Sequence, residues 1–203
     1  KVAVAYFGEG ATSEGDFHVG LNFAAVRKAP VIFFCRNNGY AISTPAFRQF
    51  ASDGVAPQVA GRNIKTFRVD GNDFFAVYEA TAQARQICLE GAGPVFIEAM
   101  TYRLGAHSTS DDPSVYRQEQ EVLEKQKNCP ILRLRLYLEK IKVWDITQEE
   151  KYLEGITQEV TEAIKIAKET GRPPQRSLIE NVYFEVPSAL EAQYEIVKSL
   201  FHE

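Results

Sequence analysis

Residues 1–35 read KVAVAYFGEGATSEGDFHVGLNFAAVRKAPVIFFC and contain two strand-like runs with a helical segment between them. Residues 2–7 and 31–35 are short, apolar and rich in β-branched and aromatic side chains, which favours buried strands. Ser13 is followed three residues later by an aspartate, as in a capping box, and apolar residues then recur at helical spacing. The stretch therefore predicts a β-α-β unit, whose two strands are parallel.

The same alternation of strand and helix continues along the chain. Residues 65–69 and 95–100 are further strand-like runs, and residues 74–90 between them have helical periodicity. Residues 37–61 are rich in Gly, Ser, Pro and small polar residues and are predicted to form a loop. We therefore predict an α/β fold with a doubly wound, mostly parallel sheet.

The C-terminal part of the chain is predicted to be helical. A polar loop at residues 103–117 precedes it, so we divide the chain into an α/β region at 1–118 and a helical extension at 119–203. Because the chain opens on a core strand, we also expect the α/β domain to include structure upstream of it. Three helices are predicted in the extension, at residues 131–140, 148–170 and 189–200.

Composition argues against several classes of protein. The 203 residues are 45% hydrophobic, which suits a globular core, and the net charge is -4 with Lys and Arg scattered among acidic residues. The sequence shows no basic stripe of the kind that binds nucleic acid. No apolar run approaches the roughly 20 residues of a membrane span. Three widely spaced cysteines, Cys35, Cys88 and Cys129, are predicted to be reduced packing residues.

Two polar motifs follow predicted strands. Gly8-Glu9-Gly10 comes after the first strand and Asn37-Asn38 after the second. In an open α/β sheet, ligands bind outside the carboxyl ends of the strands, where glycine lets the backbone approach a phosphate. Carboxylate and amide oxygens are also suitable ligands for Mg²⁺. Either motif alone is equally consistent with an ordinary turn and with a binding site. The two motifs together predict a site for a metal and a diphosphate.

The spacing of these motifs resembles that of thiamine-diphosphate enzymes, in which Gly-Asp-Gly is followed after about 24 to 30 residues by Asn. Here 26 residues separate Gly10 from Asn37. Glu9 replaces the family's Asp, but Glu followed by ATSEGD, together with the later run RNNGYAISTP, resembles alpha subunits of the branched-chain 2-oxo acid dehydrogenases. The resemblance implies the thiamine-diphosphate-binding fold, oxidative decarboxylation of branched-chain 2-oxo acids, and acyl transfer to lipoyl groups.

The same resemblance implies the residues that bind the cofactors. Glu9 and Asn38 would bind Mg²⁺ through their side chains and Tyr40 through its backbone carbonyl. A potassium site would lie upstream of this chain. The implied contacts with thiamine diphosphate are Gly10, Ala11, Arg36 and His107.

The segment YRLGAHSTSDDPSVYR at residues 102–117 has the composition of a surface loop capped by Ser and Asp. Its pattern also resembles the regulatory loop of mitochondrial 2-oxo acid dehydrogenase alpha subunits. By that resemblance His107 lies beside the cofactor and acts in catalysis, while Ser108 is phosphorylated. Gln118 stands where the family has a second regulatory serine, which is a departure from the pattern. We interpret the other histidines, His18 and His202, as structural or solvated.

The resemblance further implies the partners and location of the protein. It implies an alpha2beta2 heterotetramer with a beta subunit, a lipoyl-bearing acyltransferase core, a regulatory kinase and phosphatase, and the mitochondrial matrix. The isolated piece is expected to be inactive, because the beta chain supplies half of the site. Two alternatives stay open: the alpha subunit of pyruvate dehydrogenase, and a module for assembly and regulation only. A nicotinamide-binding Rossmann domain is disfavoured, since residues 8–13 lack the third glycine.

Overall fold

The computed structural model of the protein describes residues 1–200. The fold is built on a four-stranded sheet. The sheet order is β1-β2-β6-β5, and all three strand pairs are parallel. The main strands are β1 (Ala3–Gly8), β2 (Val31–Asn37), β5 (Lys65–Asp70) and β6 (Val95–Met100), and a small antiparallel pair consists of β3 (Tyr40–Ala41) and β4 (Thr44–Pro45). The predicted parallel α/β sheet is confirmed, and the carboxyl ends of its strands share one edge.

Helices follow the strands and dominate the C-terminal part. The helices are α1 (Gly15–Arg27), α2 (Ala46–Gln49), α3 (Ala56–Ala60), α4 (Phe74–Leu89), α5 (Glu119–Gln126), α6 (Pro130–Lys140), α7 (Ile146–Glu169), α8 (Ser177–Glu180) and α9 (Ser188–Leu200). Two short 3-10 helices occur at Glu9–Ser13 and Pro113–Val115. Asp73 caps α4, because its carboxylate accepts hydrogen bonds from two amides of the first turn.

Two hydrophobic clusters cover opposite faces of the sheet. The side chains of Ile32 and Ile97 pack on α4, whereas Cys35 packs with Leu21 of α1 and Val59 of α3 on the other face. This alternation follows from the pleat, which turns successive side chains of a strand to opposite faces. Each fully buried Ile or Leu contributes about 1.5–3 kcal/mol through removal from water. Helices therefore cover both faces, as in a doubly wound sheet.

Two local predictions are wrong. Ser13 does not cap α1, because the helix begins at Gly15 after Glu14, and Ser13 ends the preceding 3-10 helix. Residues 37–61 are not only loop, since they contain β3, β4, α2 and α3. These four elements are only two to five residues long, and contacts with the sheet and with the 3-10 helix position them. Elements of that length have too little periodicity for a sequence pattern to reveal them.

The chain forms two compact units, residues 1–144 and 145–203. The first contains the sheet with α1 to α6, and the second contains α7 to α9. The boundary after residue 118, which we predicted between the cofactor-binding α/β domain and the helical extension, stays a prediction. In residues 1–200, no helix is long and apolar enough to cross a membrane. All three cysteines are free thiols, and His202 lies outside the described residues.

Candidate active site at the carboxyl edge of the sheet

Glu9 occupies the first position after β1, where the strand passes into the 3-10 helix. Its side chain is fully buried, with 0% exposure. One carboxylate oxygen, Oε2, accepts a hydrogen bond of 3.0 Å from the backbone amide of Asn38. The other, Oε1, is buried and has no hydrogen-bond partner in residues 1–200. A buried carboxylate oxygen without a donor is costly unless a cation binds it.

The turn after β2 supplies the opposite side of this site. Asn37 is buried, and its side-chain oxygen accepts a hydrogen bond from the Gly39 amide at 3.2 Å. The side-chain oxygen of Asn38 accepts one from the Tyr40 amide, also at 3.2 Å. The Thr101 amide donates to the Asn37 carbonyl at 2.8 Å and joins the turn to the end of β6. Three strand ends therefore fix this turn.

The hairpin β3–β4 lies against the Glu9 turn. A Cβ atom added to Gly10 would stand 3.0 Å from Cβ of Ala41, which is closer than side chains normally approach. In the amide orientation that satisfies its neighbours, Gln49 of α2 donates to Ser13 Oγ at 2.8 Å. It also donates to the carbonyl oxygens of Glu9 and Gly10, each at 3.2 Å. Gly10 thus allows a close approach of the hairpin, and a larger residue there would push Ala41 away by a few tenths of an ångström.

The oxygen atoms gathered here suit a hard divalent cation. The Glu9 carboxylate is adjacent to the Asn38 turn, and Tyr40 follows two residues later with its carbonyl. Mg²⁺ prefers such oxygen ligands and binds few of them from protein, taking the rest from water and phosphate. Among the described residues no group of three or more His, Cys, Asp or Glu side chains could hold a metal. The Glu9 carboxylate, whose Oε1 has no hydrogen-bond donor within residues 1–200, is an oxygen ligand of the kind that Mg²⁺ binds.

Glu98 was missed in the sequence analysis. It lies in the middle of β6 and is fully buried, and its Oε1 accepts hydrogen bonds from Asn37 Nδ2 at 2.7 Å and from the Val55 amide at 2.8 Å. Its Oε2 accepts one from the Ala56 amide at 2.9 Å. Burial, followed by the negative charges of Glu98 and Glu9, raises the pKa of the Cys35 thiol far above its usual range. An acidic residue inside the apolar strand VFIEAM was the signal for this site.

The loop at residues 103–117 is organised by a buried arginine. Arg117 has an exposure of only 6%, and its guanidinium donates to the carbonyl oxygens of Arg103, Leu104 and Gly105. The same guanidinium lies 5.4 Å from the ring centre of Tyr102, within the range of a cation–π contact. One side chain therefore satisfies three consecutive carbonyls that the loop leaves outside any helix or strand.

Arg103 joins this loop to the turn after β2. Its guanidinium donates to the carbonyl of Ile42 at 2.6 Å, to the carbonyl of Tyr40 at 3.3 Å, and to the Tyr116 hydroxyl at 3.0 Å. Asp111 accepts hydrogen bonds from the His107 amide at 2.8 Å and the Tyr116 hydroxyl at 2.7 Å. Those two bonds, with the His107 amide contributing most, lower the pKa of Asp111 below its usual 3.8.

Helix α5 contacts the same edge of the sheet through Glu121. Its carboxylate accepts hydrogen bonds from the hydroxyls of Tyr40, at 3.0 Å, and Tyr102, at 2.9 Å. Burial and the Glu121 hydrogen bond raise the pKa of Tyr102 to about 12. A cavity of about 430 Å³ lies between this group and the loop before α3, and Asn38 and Tyr40 form part of its wall. The site therefore has open volume beside two of the predicted metal ligands.

The structure brings some of the predicted site residues together and leaves others apart. Glu9 and Tyr40 both contact Asn38 through hydrogen bonds. Arg36 is exposed at the end of β2, and His107 is exposed on its loop. In the described part of the chain, no hydrogen bond ties either of those two side chains to the Glu9 turn. The exposed residues Ala11 and Ser108 are likewise accessible from solvent.

These features define a class of protein. Helices on both faces of a parallel sheet, with polar side chains gathered at the carboxyl ends of β1 and β2, are characteristic of doubly wound α/β proteins. Residues 1–176 match the family model described as Dehydrogenase E1 component. The protein therefore belongs to the dehydrogenase E1 component family, whose members depend on thiamine diphosphate.

Individual relatives agree with this family. The chain is 50% identical over 197 residues to the mitochondrial 2-oxoisovalerate dehydrogenase subunit alpha of Mus musculus and to that of Homo sapiens. It is 46% identical over 194 residues to the mitochondrial protein of that name from Caenorhabditis elegans. These alignments cover 95–96% of this chain but only 44–45% of each relative, so the chain spans about half the length of these relatives. The resemblance to branched-chain 2-oxo acid dehydrogenase alpha subunits is confirmed.

Proposed function

We propose that this chain is the cofactor-binding part of the alpha subunit of a branched-chain 2-oxo acid dehydrogenase. The complete enzyme would decarboxylate branched-chain 2-oxo acids oxidatively and transfer the acyl group to a lipoyl group. The names of the relatives, 2-oxoisovalerate dehydrogenase subunit alpha, support this substrate class. The observation that carries the proposal is Glu9 Oε1, a fully buried carboxylate oxygen with no hydrogen-bond donor within residues 1–200.

We assign Mg²⁺ to the oxygens of Glu9, Asn38 and the Tyr40 carbonyl. The Glu9 carboxylate would supply the negative charge, and the Asn38 amide donating to Oε2 keeps that carboxylate oriented toward the turn. The Arg103 bond to the Tyr40 carbonyl is long, at 3.3 Å, and a carbonyl oxygen has two lone pairs, so the same oxygen can also bind a cation. The three groups are held before any cation binds, which reduces the entropy lost on binding.

The diphosphate would lie against Gly10, Ala11, Arg36 and His107. Parallel pairing places Arg36 beside Gly8 at the same level of the sheet, and the exposed guanidinium is free to bind phosphate oxygens in pairs. Thiamine diphosphate, when bound, supplies the electron sink for decarboxylation. His107 would move a proton during acyl transfer, the acid–base role for which an imidazole side chain is suited.

Regulation and assembly follow from the same proposal. A phosphate on exposed Ser108 would add about two negative charges beside Asp111 and Asp112 and would disfavour the ordered loop. A regulatory kinase and phosphatase would control this modification. The partners would be a beta subunit, in an alpha2beta2 tetramer, and a lipoyl-bearing acyltransferase core. Because the relatives carry the word mitochondrial in their names, we assign the protein to the mitochondrial matrix. A potassium ion would be a further cofactor of the complete enzyme.

The test is binding of Mg²⁺ and thiamine diphosphate to the full-length alpha chain in complex with its beta subunit. Glu9→Gln keeps the size and the acceptor for the Asn38 amide but removes the charge, so the complex should lose Mg²⁺-dependent binding in calorimetry. Glu14→Gln is the matched control, because the same change occurs five residues later at an exposed position. Equal cofactor affinity in the two variants would refute the metal assignment.

The substrate requires a separate assay. The complete tetramer should use 3-methyl-2-oxobutanoate far better than pyruvate, and a preference for pyruvate would favour the alternative dehydrogenase. A tetramer that binds no thiamine diphosphate would instead favour the assembly and regulatory module.

A further inference from the structure

Glu98 carries a buried charge that the proposed chemistry does not use. It accepts hydrogen bonds from the last residue of β2 and from the start of α3, at Val55 and Ala56. Within residues 1–200, the cation paired with it is Arg68, whose Nε lies 3.7 Å from Oε2 and whose guanidinium is also paired with exposed Asp53. A buried charge is a poor source of stability compared with apolar packing. The buried position of Glu98 therefore indicates a role other than stabilising the core.

One of these hydrogen bonds leads directly to the cofactor site. Glu98 Oε1 holds Asn37 Nδ2 at 2.7 Å, and the other end of the same amide accepts the Gly39 amide. Asn38, between them, donates its backbone amide to Glu9 Oε2. The side chain of Asn37 thus bonds both Glu98 and the Gly39 amide. These two bonds fix the segment 37–39, which contains the proposed metal ligand Asn38.

The second loop is shaped around the same carboxylate. Gly54 has a φ of +78°, and a Cβ added there would lie 2.6 Å from Glu98 Oε1. The amides of Val55 and Ala56 can reach the carboxylate because Gly54 allows this approach. Residues 52–54 precede α3 and form one wall of the cavity beside Asn38.

We propose that Glu98 is a positioning residue for the metal–diphosphate site, acting on Asn38 through the side chain of Asn37. The inference rests on the proposed function, since it assumes that Asn38 binds the Mg²⁺ of the cofactor. Glu98 lies behind the turn and would touch neither cofactor nor substrate. Residues that orient metal ligands in this way usually change metal affinity by about 10- to 100-fold when they are replaced.

The experiment is a double-mutant cycle in the full-length alpha chain bound to its beta subunit. Glu98→Met keeps a similar side-chain length but has no oxygen that can accept a hydrogen bond. Asn37→Ala removes the side-chain amide that donates to Glu98. Affinity for Mg²⁺ and thiamine diphosphate is measured by calorimetry, and the melting temperature is measured in parallel. Glu98→Gln is included because it folds more readily and keeps one acceptor for Asn37. Ile97→Val, the adjacent residue on the opposite face, is the control for a loss of stability alone.

We expect Glu98→Met to weaken cofactor binding by about 10- to 100-fold, with Glu98→Gln between it and wild type. In the Asn37→Ala background, Glu98→Met should weaken binding no further but should still lower the melting temperature, because the bonds to Val55 and Ala56 are also lost. Ile97→Val should lower the melting temperature only. Normal cofactor affinity in both Glu98 variants, or independent losses in the cycle, would overturn the inference while leaving the proposed function intact. A wild-type tetramer that binds no cofactor would overturn both.

Discussion

The Glu9 turn and the loop at residues 103–117 are held in different ways. Glu9 is fully buried, and backbone amides and the ends of three parallel strands fix the residues around it. The loop depends on two arginines and one aspartate, whose side chains bind its carbonyls, amides and hydroxyls. The proposed metal end of the site is therefore part of the folded sheet. The order of the loop depends on a few polar side-chain contacts.

The two regions are connected through Arg103, which donates to the carbonyls of Tyr40 and Ile42. A change in the turn should therefore affect cofactor binding directly, whereas a change in the loop should mainly affect local order.

The largest effect is expected from Asn38→Ala. Removing this proposed metal ligand should weaken Mg²⁺-dependent binding of thiamine diphosphate by more than about 100-fold, which exceeds the usual effect of replacing a residue that only orients a ligand. The fold should lose only about 0.5–1.5 kcal/mol, because the backbone amide that bonds Glu9 remains and only the bond to the Tyr40 amide is lost. Calorimetry and thermal melting of the tetramer give both numbers. The exposed Asn128→Ala is the control, and comparable affinities for the two variants would contradict the prediction.

A second large effect is expected from Arg117→Met, which alters the loop. Loss of charged hydrogen bonds to three carbonyls should reduce the local stability of the loop by about 1.5–3 kcal/mol. Cleavage by chymotrypsin at Tyr102 and Leu104 should become much faster, and acyl transfer to lipoyl domains should fall. Cofactor affinity should change less than tenfold if the turn is independently built. Arg85→Met, at an exposed site on α4, should change neither quantity; a cofactor loss as large as that of Asn38→Ala would show that the regions are not separable.

Ser108→Glu should have a smaller effect on the same loop. The new charge would stand near Asp111, whose carboxylate holds the His107 amide and the Tyr116 hydroxyl. Repulsion between exposed charges of this kind is weak and is screened by salt, so proteolysis of the loop should accelerate a few-fold at low salt and less at high salt. The uncharged Ser108→Gln is the matched control. If both variants are cleaved at the same rate, charge is not what opens the loop.

The smallest effect concerns pH. Because the folded-state pKa of Asp111 is lowered, its contribution to loop stability is fully present above the usual value of 3.8 and is lost as pH falls through the lowered value. Hydrogen exchange of residues 103–117, corrected for the intrinsic pH effect and referenced to α4, should rise only in that acidic range. Asp111→Asn should exchange faster at neutral pH and show no such rise. A wild-type loop that opens at neutral pH would require another titrating group.

The strands, their parallel direction and the position of the Glu9 turn could be predicted because they depend on local apolar runs and helical periods. The Asn37-Asn38 turn was found for a similar reason, since it directly follows a strand. Glu98 was missed because its hydrogen-bond donors are at least 42 residues away in sequence and no local pattern predicts them. Arg117 was quoted only as part of a motif, because its targets are backbone carbonyls, which have no signature in the sequence.

The amino-acid sequence by itself determined the α/β order of elements, the pair of motifs at two strand ends, and the resemblance that led to the dehydrogenase E1 component family. Only the tertiary structure shows that one oxygen of Glu9 has no donor among residues 1–200, that Glu98 accepts a hydrogen bond from Asn37, and that Arg103 connects the loop to Tyr40. The reason is physical. Periodicity and turn chemistry act between near neighbours, whereas burial and hydrogen bonding of a charged group depend on residues that folding brings together from distant parts of the chain.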